Sequence, residues 1–361
     1  MSFILCFYII PVLIKIANKF SIYDVNNKIK KHEKSTTYLG GIALVFSFLI
    51  SVSLLMPSEL RRPMFTGPYF IISIIIFLYG LGDDIFNYKP LKKLVIQLIL
   101  CAILLYKSGL NLPLENFKLN NLSIIIITIF YVAAIVNSYN LIDGADGIAI
   151  SLALISCLFF AIIFYLDNKY FFCFCSVGLA GSCLAFLLYN KPPANIFMGD
   201  SGSLFIGMII ATFALIVNYT ENGSNNIWNE NQRLLLSISS FTIPLLDMTR
   251  LFFERIKNGK HPFSGDNNHI HHLLQKIELS KNQNLTIIVC LQILSTSFTL
   301  AFIERPIFLT LIINLVAYIV FIRLVKIKIE KLNKVKMKNE IEISVEYNAK
   351  KKLLENSNSY N

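Results

Sequence analysis

The stretch IAISLALISCLFFAIIFYL at 148–166 is followed by DNK at 167–169 and then by YFFCFCSVGLAGSCLAFLLY at 170–189. Each apolar run has about the 20 residues that an α-helix needs to cross a hydrocarbon layer of ~30 Å. Inside lipid every backbone N–H and C=O must be bonded within the protein, so runs of this kind are expected to be helices. The two runs therefore predict a pair of membrane-spanning helices joined by a tight turn.

Similar runs recur along nearly the whole chain. The 361 residues are 55% hydrophobic and 15% charged, with a mean hydropathy of +0.60, which is typical of membrane proteins. We predict an all-α polytopic membrane protein, with one transmembrane domain at 1–325 and a charged cytosolic tail at 326–361. The predicted spans, about eleven in number, are 3–17, 37–56, 67–81, 92–106, 122–137, 148–166, 170–189, 203–219, 234–249, 284–303 and 306–325.

The basic residues are distributed unevenly between the two faces that these spans define. Loops after odd-numbered spans, together with the tail, contain 25 of the 33 Lys and Arg, whereas loops after even-numbered spans contain 7. Because Lys and Arg accumulate in cytoplasmic loops, we predict that the odd-numbered loops face the cytosol. The net charge of +11 is thus explained without a nucleic-acid partner. The seven cysteines form no CxxC pair and are interpreted as buried apolar residues.

The polar groups best suited to chemistry lie on that same predicted face. Ionisable side chains are costly in a membrane, so their positions point to functional sites. They follow the first, third, fifth, seventh and ninth spans: His32; Asp83 and Asp84; Asn137, Asn140, Asp143 and Asp146; Asp200; and His269, His271 and His272. We therefore predict an active site built from the cytosolic loops.

The first acidic motif, LGDDIFNYKPLKK at 81–93, places adjacent carboxylates before a group of lysines. Two carboxylates this close raise each other's pKa unless a cation such as Lys93 neutralises them. The motif is consistent with a proton acceptor or a metal site. A helix-capping pair in a short polar loop is an equal alternative at this point.

The next two motifs are NSYNLIDGADG at 137–147 and NIFMGDSGS at 195–203. Carboxylate and amide oxygens suit Mg²⁺ bound to phosphate, and glycines allow a nucleotide to approach the backbone. Small residues around Asp200 at a helix start would expose N–H groups to an anion. Turn chemistry and a plain N-cap are the structural alternatives.

The histidine motif, HPFSGDNNHIHH at 261–272, carries three histidines within four residues. Such a tract could ligate zinc, but adjacent His271 and His272 cannot both point into one site from a regular helix, so contacts to phosphate are favoured. Upstream, Asp247 and Arg250 either pair with each other, or Arg250 and Arg255 face the phosphates.

Together these motifs resemble the polyprenyl-phosphate N-acetylhexosamine-1-phosphate transferases, and in particular the bacterial undecaprenyl-phosphate N-acetylglucosamine-1-phosphate transferases. LGDD, NSYNLIDGADG, FMGDSGS and HIHH occur in the family's order. The resemblance implies that Asn140 and Asp200 bind Mg²⁺, for which Mn²⁺ could substitute, while Asp83 accepts a proton from the lipid phosphate or positions it, with support from Asp84. It further implies a substrate-binding set of Lys93, Asn137, Asp143, Asp146, Asn195, Arg250, Arg255, His269, His271 and His272.

The implied reaction moves a sugar 1-phosphate from a UDP-sugar donor to a polyprenyl phosphate in the membrane and releases UMP. It would be the first membrane step in the synthesis of O-antigen, common antigen or teichoic acid. Two other functions stay open: the sister activity that transfers phospho-MurNAc-pentapeptide, whose members usually have three adjacent histidines instead of HIHH, and a cation-coupled transporter. Homodimer formation is also open.

Four positions depart from the family pattern. Val25 and Asn26 stand where a Pro is expected after Asp24, Thr37 where another is expected before Gly40, and Asn267 where an Arg is usual. A missing guanidinium near the diphosphate is expected to alter donor preference, unless Arg255 or a neighbouring lysine replaces it.

Overall fold

A computed structural model describes residues 1–23, 36–57, 67–114, 118–219, 227–262 and 268–358, except for the side chains of 338, 341–346 and 348–358. These ranges contain thirteen helices and no strand, since the bridge between Thr37 and Ile196 is isolated. The prediction of an all-α protein is confirmed. His32, Val25, Asn26 and Asn267 lie outside the described residues.

The helices are α1 (Ser2–Phe20), α2 (Gly40–Leu55), α3 (Pro68–Phe86), α4 (Pro90–Ser108), α5 (Asn121–Ile142), α6 (Ile148–Leu166), α7 (Tyr170–Asn190), α8 (Gly199–Asn218), α9 (Glu230–Ser239), α10 (Thr242–Lys257), α11 (Ile270–Lys276), α12 (Lys281–Ala301) and α13 (Ile307–Asn358).

Multiple helices are long and apolar enough to cross a membrane, so the protein is a multi-pass membrane protein. Among the described residues there are 8 such helices, or 9 if α9 and α10, which meet at 77°, count as one span. Each of the eleven predicted spans coincides with a helix or with this bent pair, but the count of eleven crossings is not confirmed. Helix α2 has only 16 residues, and α4 carries Lys92, Lys93 and Lys107.

Helix α8 forms the centre of the bundle. Its residues 201–218 are all buried, and it packs against α2, α3, α5, α6 and α9. Glycines permit the closest approaches, because a Cβ on Gly80 would lie 2.5 Å from the Ser201 Cα and one on Gly207 would lie 2.8 Å from the Val136 Cα. The N-terminus of α8, which carries Asp200, is thereby held against α3 and α5.

The turn between α3 and α4 brings their acidic and basic ends together. Asn87 ends α3 in the left-handed conformation with φ 50°, and Pro90 starts α4 in its first turn. Only three residues separate the helices, so Asp83, near the end of α3, faces Lys93, near the start of α4.

The predicted span at 234–249 is interrupted between α9 and α10. Pro244 has no N–H to donate, and its ring crowds the carbonyl four residues earlier, that of Ser240. Side chains from other helices bond the freed carbonyls: Ser156 Oγ donates to the Ser240 oxygen at 2.6 Å, and Gln292 Nε2 donates to the Ser239 oxygen at 2.8 Å. These bonds satisfy the broken backbone inside the bundle, as lipid could not.

The last helix, α13, continues without a break across the boundary predicted between residues 325 and 326. Its polar extension is tied to the rest of the protein, because Lys326 Nζ lies 2.7 Å from Glu254 Oε1 and Lys336 Nζ lies 2.7 Å from Glu278 Oε1. Helix α13 also packs against α9 and α11. The segment after the final span is therefore a helical continuation of it.

Candidate active site

Asp84 holds the start of α8. Its Oδ1 accepts the Asp200 N–H at 2.6 Å, and its Oδ2 accepts the Ser201 N–H at 3.1 Å. Gly199, with φ +73°, makes this approach possible, since a Cβ there would lie 2.7 Å from Asp84 Oδ2. A carboxylate at a helix N-terminus bonds free N–H groups and is favoured by the helix dipole. Asp84 thus caps a helix that belongs to a different motif.

Lys93 bridges two carboxylates from separate helices. Its Nζ lies 2.5 Å from Asp83 Oδ2 and 2.6 Å from Asp200 Oδ2. Asp83 is 1% exposed, and its other oxygen accepts the Tyr88 N–H at 2.8 Å. Asp84 lies alongside and bonds backbone N–H groups of α8, so the cluster holds three carboxyl groups and one ammonium group. We call Asp83, Asp84, Lys93, Asn140 and Asp200 the acidic cluster.

Asn140 joins this cluster from α5. Its Nδ2 donates to Asp200 Oδ1 at 2.8 Å and to Ser203 Oγ at 2.9 Å. Carboxylate, amide and hydroxyl oxygens are the donor types that Mg²⁺ prefers, and Mg²⁺ commonly takes only one or two carboxylates, with phosphate and water completing the shell. Within the described ranges no three His, Cys, Asp or Glu side chains form a metal-binding group. The residues present fit a cation that is shared with a phosphate substrate, and they do not fit an all-protein cage.

Asp143 and Asp146 lie at the edge of the cluster and face different partners. Burial, with the like charges of Asp200 and Asp84, raises the pKa of Asp143 well above its usual range. Asp146 instead pairs with Lys281, whose Nζ is 3.1 Å from Oδ2. Asp143 therefore belongs electrostatically with the acidic cluster, and Asp146 ties the loop to α12.

The two remaining asparagines of the predicted set lie outside these contacts. Asn137 Nδ2 approaches Met248 Sδ at 3.7 Å, which brings α5 against α10. Asn195 is exposed, and its backbone N–H donates to the Tyr189 oxygen at 2.8 Å. Nearby, the Phe197 N–H donates to the oxygen of Thr37, so this departure from the family pattern still pairs with the FMGDSGS segment.

A second polar centre surrounds the His loop, which we define as residues 268–272. Asp247, buried on α10, accepts bonds from Arg250 Nη2 at 2.7 Å and Tyr318 OH at 2.9 Å. Its Oδ2 lies 3.0 Å from His269 Nδ1, and the Ile270 N–H donates to its Oδ1 at 3.2 Å. One carboxylate therefore connects α10, the His loop and α13.

His271 and His272 occupy different environments, as expected for adjacent residues in a helix. His271 is 1% exposed with no hydrogen-bond partner on either ring nitrogen, and burial, with His272 and His269 nearby, lowers its pKa to about 3. It borders a cavity of about 80 Å³ beside Gly144, Lys281 and Asn284. His272 is half-buried, with its ring centroid 4.2 Å from that of His271. A neutral His271 can donate one hydrogen bond and accept another.

The two arginines of the predicted set make internal contacts. Arg250 pairs with Asp247, as one of the two alternatives held, and also donates to the Asn268 oxygen at 2.7 Å. Arg255 Nη1 donates to the Pro262 oxygen at 2.8 Å. Both side chains thus bond backbone carbonyl groups, at Asn268 and at Pro262.

The structure brings the two centres together at one end of the bundle. Gly144 lies between them, because a Cβ there would lie 3.3 Å from the His271 ring, while the charge of Asp200 helps to raise the pKa of its neighbour Asp143.

Sequence reasoning did not include Asp247 and Tyr318 in the site. Asp247 gave a signal as a carboxylate near a span end, whereas Tyr318 is one of several aromatic residues in an apolar run and gave none.

Comparison with known proteins gives consistent results. Residues 67–218, from α3 to α8, match the family described as glycosyl transferase family 4, and this region contains the whole acidic cluster. The chain is 29% identical over 326 residues to a protein named probable undecaprenyl-phosphate N-acetylglucosaminyl 1-phosphate transferase from Bacillus subtilis (strain 168), covering 88% of this chain and 87% of that protein.

Two further relatives carry different names. Identity is 31% over 281 residues to the decaprenyl-phosphate N-acetylglucosaminephosphotransferase of Mycobacterium tuberculosis (strain ATCC 25618 / H37Rv), with 71% of this chain and 70% of that protein covered. Sequence identity is 35% over 224 residues to the phospho-N-acetylmuramoyl-pentapeptide-transferase of Clostridium botulinum (strain Eklund 17B / Type B), with 58% of this chain and 68% of that protein covered. The names of these relatives thus describe the transfer of two different groups, N-acetylglucosamine phosphate and phospho-N-acetylmuramoyl-pentapeptide.

Proposed function

Because this chain belongs to glycosyl transferase family 4, we propose that it transfers N-acetylglucosamine 1-phosphate from UDP-GlcNAc to undecaprenyl phosphate and releases UMP. The observation that carries the proposal is the acidic cluster, in which Asp83, Asp84 and Asp200 come from two separate motifs to one end of the bundle around a single lysine. Transfer between two phosphates needs such a site, where cations can offset the charge of both substrates.

The acceptor phosphate is assigned to Asp83 and Lys93. Asp83 lies at the end of α3 and Lys93 near the start of α4, where a lipid anchored in the membrane can present its phosphate to the cluster. A cation beside the attacking oxygen lowers the repulsion between the two substrates. Asp83 would take up the acceptor's proton or orient its phosphate, and Lys93 would neutralise part of the charge.

The donor is assigned to the loop after α5 and to the His loop. Asp143 and Asp146 flank a glycine that permits close approach, and His271 offers unpaired ring nitrogens on the same side. In the reaction an acceptor phosphate oxygen attacks the phosphorus attached to the sugar, and the bond from that phosphorus to the UMP oxygen breaks. The sugar keeps its own bond to phosphate, and UMP leaves with the displaced oxygen.

Magnesium would be held by Asp200 and Asn140, with donor phosphate oxygens completing its shell. Bound there, it would supply positive charge against the negative charge that develops on the transferred phosphate. The fit rests on the donor atoms and on the excess negative charge of the cluster, which Lys93 balances only in part.

The site is assigned to the cytosolic face of a bacterial inner membrane. The support is the count of Lys and Arg, with 25 of 33 in the odd-numbered loops and the tail. UDP-sugars are soluble nucleotides, so a cytosolic site gives them direct access.

The name of the clostridial relative indicates a second candidate donor, UDP-MurNAc-pentapeptide. The HIHH sequence of the His loop favours the N-acetylglucosamine branch, because the three consecutive histidines usual in the other branch are interrupted by Ile270. Ile270 is fully buried and leaves only His271 and His272 adjacent.

The test is a donor panel with purified protein in lipid nanodiscs. UDP-GlcNAc, UDP-GalNAc and UDP-MurNAc-pentapeptide are each supplied with and without undecaprenyl phosphate, and UMP and the lipid product are quantified by mass spectrometry. We expect UMP and a lipid-linked sugar diphosphate from UDP-GlcNAc only when the acceptor is present. Product from UDP-MurNAc-pentapeptide alone would move the protein to the other branch, and no UMP from any donor would refute the proposed activity.

A further inference from the structure

Asp247 is a junction between the His loop and the last helix. Its side chain is 2% exposed, and its two oxygens receive hydrogen bonds from Arg250, Tyr318, His269 and Ile270. A carboxylate has about four lone-pair positions, so these bonds nearly saturate it. The orientation of the carboxylate is therefore set jointly by its partners.

One consequence of this junction is the orientation of the His269 ring. An ionised carboxylate only accepts, so His269 Nδ1 carries the proton that it donates to Asp247 Oδ2 across 3.0 Å. The other ring nitrogen, Nε2, is then directed away from the junction. The His269 ring also lies parallel to that of His271, with an interplanar angle of 9° and centroids 5.7 Å apart. The rings of His269 and His271 therefore lie nearly parallel to each other beside the junction.

Tyr318 is the contribution of α13 to this arrangement. It is 4% exposed, and its hydroxyl donates to Asp247 Oδ1 at 2.9 Å from a helix that is far away in sequence. Eight residues further along α13, Lys326 pairs with Glu254, which also lies near Arg250 at 3.1 Å. One helix therefore contacts the polar network around the His loop at two levels.

We propose that Tyr318 is a positioning residue of the active site, which acts through Asp247 to hold His269 in the orientation that contacts the donor. This rests on the proposed function, because it takes His269 as a donor contact. It assigns α13 a role in substrate binding besides that of a membrane span.

The physical reason lies in how the bonds divide between the two carboxylate oxygens. Tyr318 and Arg250 both bond Oδ1, while His269 bonds Oδ2. Without the tyrosine hydroxyl, Oδ1 keeps the bond from Arg250 at 2.7 Å and the longer bond from the Ile270 N–H at 3.2 Å. The carboxylate is then free to rotate toward the guanidinium, whose charge-assisted bonds are the stronger. His269 Nδ1 then loses its acceptor, and the first N–H of α11 loses its cap.

The experiment compares Tyr318→Phe with Tyr131→Phe. The control loses an equivalent hydroxyl, because Tyr131 OH donates to Ser237 Oγ at 3.2 Å between α5 and α9, away from the His loop. We expect Tyr318→Phe to raise the KM for the UDP-sugar about tenfold and to leave the KM for the acceptor unchanged, as the loss of one hydrogen bond to a charged group predicts. Tyr131→Phe should change neither KM.

A double-mutant cycle tests whether the effect passes through His269. In a His269→Ala background, Tyr318→Phe should have no further effect on donor KM, because the ring that it positions is gone. Two effects that simply multiply would overturn the proposal, since Tyr318 would then act by another route.

Hydrogen exchange gives a readout that does not depend on activity. Tyr318→Phe should speed exchange of the Ile270 amide at least fivefold relative to wild type, with no change in Tyr131→Phe, and equal exchange in the two variants would overturn the proposal. If the wild-type protein releases no UMP from any donor, the proposed function fails, while the exchange data still decide whether Tyr318 orders the His loop.

Discussion

The two ends of α8 both carry a cluster of charged groups, but their charge balance differs. At the N-terminal end, three carboxyl groups accompany one ammonium group: Lys93 bridges Asp83 and Asp200, and Asp84 bonds the start of the helix. At the C-terminal end the balance is reversed, because one carboxylate, Asp167, meets the cations of Lys169 and Arg233 at 2.7 and 2.8 Å.

The cations at the C-terminal end bond a carboxylate and backbone carbonyl groups of the protein. Arg233 forms two bonds to Asp167 and donates to the Val217 oxygen at 2.9 Å, and Lys169 donates to the Ile216 oxygen at 2.8 Å. Those carbonyls form the negative end of the α8 dipole. Burial alone would raise the pKa of Asp167, but Arg233 and Lys169 outweigh it and hold that pKa below its usual value.

The comparison separates a structural ion cluster from a functional one. Where cations offset both the carboxylate and the helix end, no ligand is needed. Where carboxylates outnumber cations, a further positive charge is favoured, and a divalent ion with its phosphate substrate can supply it. Similar residue types therefore have different roles at the two ends, and the exposure of the side chains agrees with this: Lys93 and Asp200 are 25% and 29% exposed, whereas Arg233 and Asp167 are 1% and 5% exposed.

The largest expected effect is on activity at the N-terminal end. Asp200→Asn removes the carboxylate assigned to the metal while keeping the shape of the side chain, and we expect transfer to fall at least ~1000-fold, or about 4 kcal/mol in transition-state stabilisation. UMP release at saturating Mg²⁺ measures it. Thermal unfolding shows whether the variant still folds. We expect a modest loss of stability, because the ion pair between Asp200 and Lys93 is lost while Lys93 keeps its pair with Asp83.

The matched variant at the other end is Asp167→Asn, which makes the same chemical change. Its turnover per folded molecule should stay within about threefold of wild type, since Asp167 contacts only structural cations. Equal losses of turnover in both variants would remove the distinction between the two ends of α8.

The second prediction concerns stability at the C-terminal end. Arg233→Leu leaves Asp167 with one cation and frees the Val217 carbonyl, so we expect a loss of about 3–5 kcal/mol in the free energy of unfolding. Unfolding in mixed micelles, followed by circular dichroism, provides the measurement. Arg305→Leu, at an exposed position, is the control and should cost no more than about 0.5 kcal/mol. A mild Arg233 phenotype would contradict the structural interpretation.

The smallest predicted effect concerns His271, which is buried without the charged partners found at either end of α8. Its folded pKa of about 3 lies below the ~6.5 of an unfolded histidine, so the unfolded state takes up a proton first as pH falls. Stability should therefore decrease below about pH 6.5, by about 2 kcal/mol between pH 7.5 and 5.

Substitution at the same position checks the origin of this pH dependence. In His271→Gln the decrease of about 2 kcal/mol in the free energy of unfolding between about pH 7.5 and 5 should disappear. In His272→Gln, at the adjacent half-buried position, the decrease should remain. Profiles that coincide for wild type and His271→Gln would show that another group titrates in this range.

Much of the fold and part of the site followed from sequence. The apolar runs located the helices, since the need to bond backbone groups in lipid leaves few other structures. The positions of Asp83, Asn140 and Asp200 after odd-numbered spans predicted that they would meet, because such loops lie on one side of a membrane, and the structure brings them within hydrogen-bond reach of shared partners. That these residues bind Mg²⁺ stays a prediction.

The sequence by itself determined that this chain is a helical membrane protein with acidic and histidine motifs at the same helix ends. Only the tertiary structure decided that α8 is central, that the chain bends at Ser240, that Lys93 bridges two carboxylates and that Tyr318 reaches Asp247. The physical reason is range. An apolar run is a local feature about one helix long and is visible in the sequence. Contacts between residues far apart in the sequence depend on how whole helices pack.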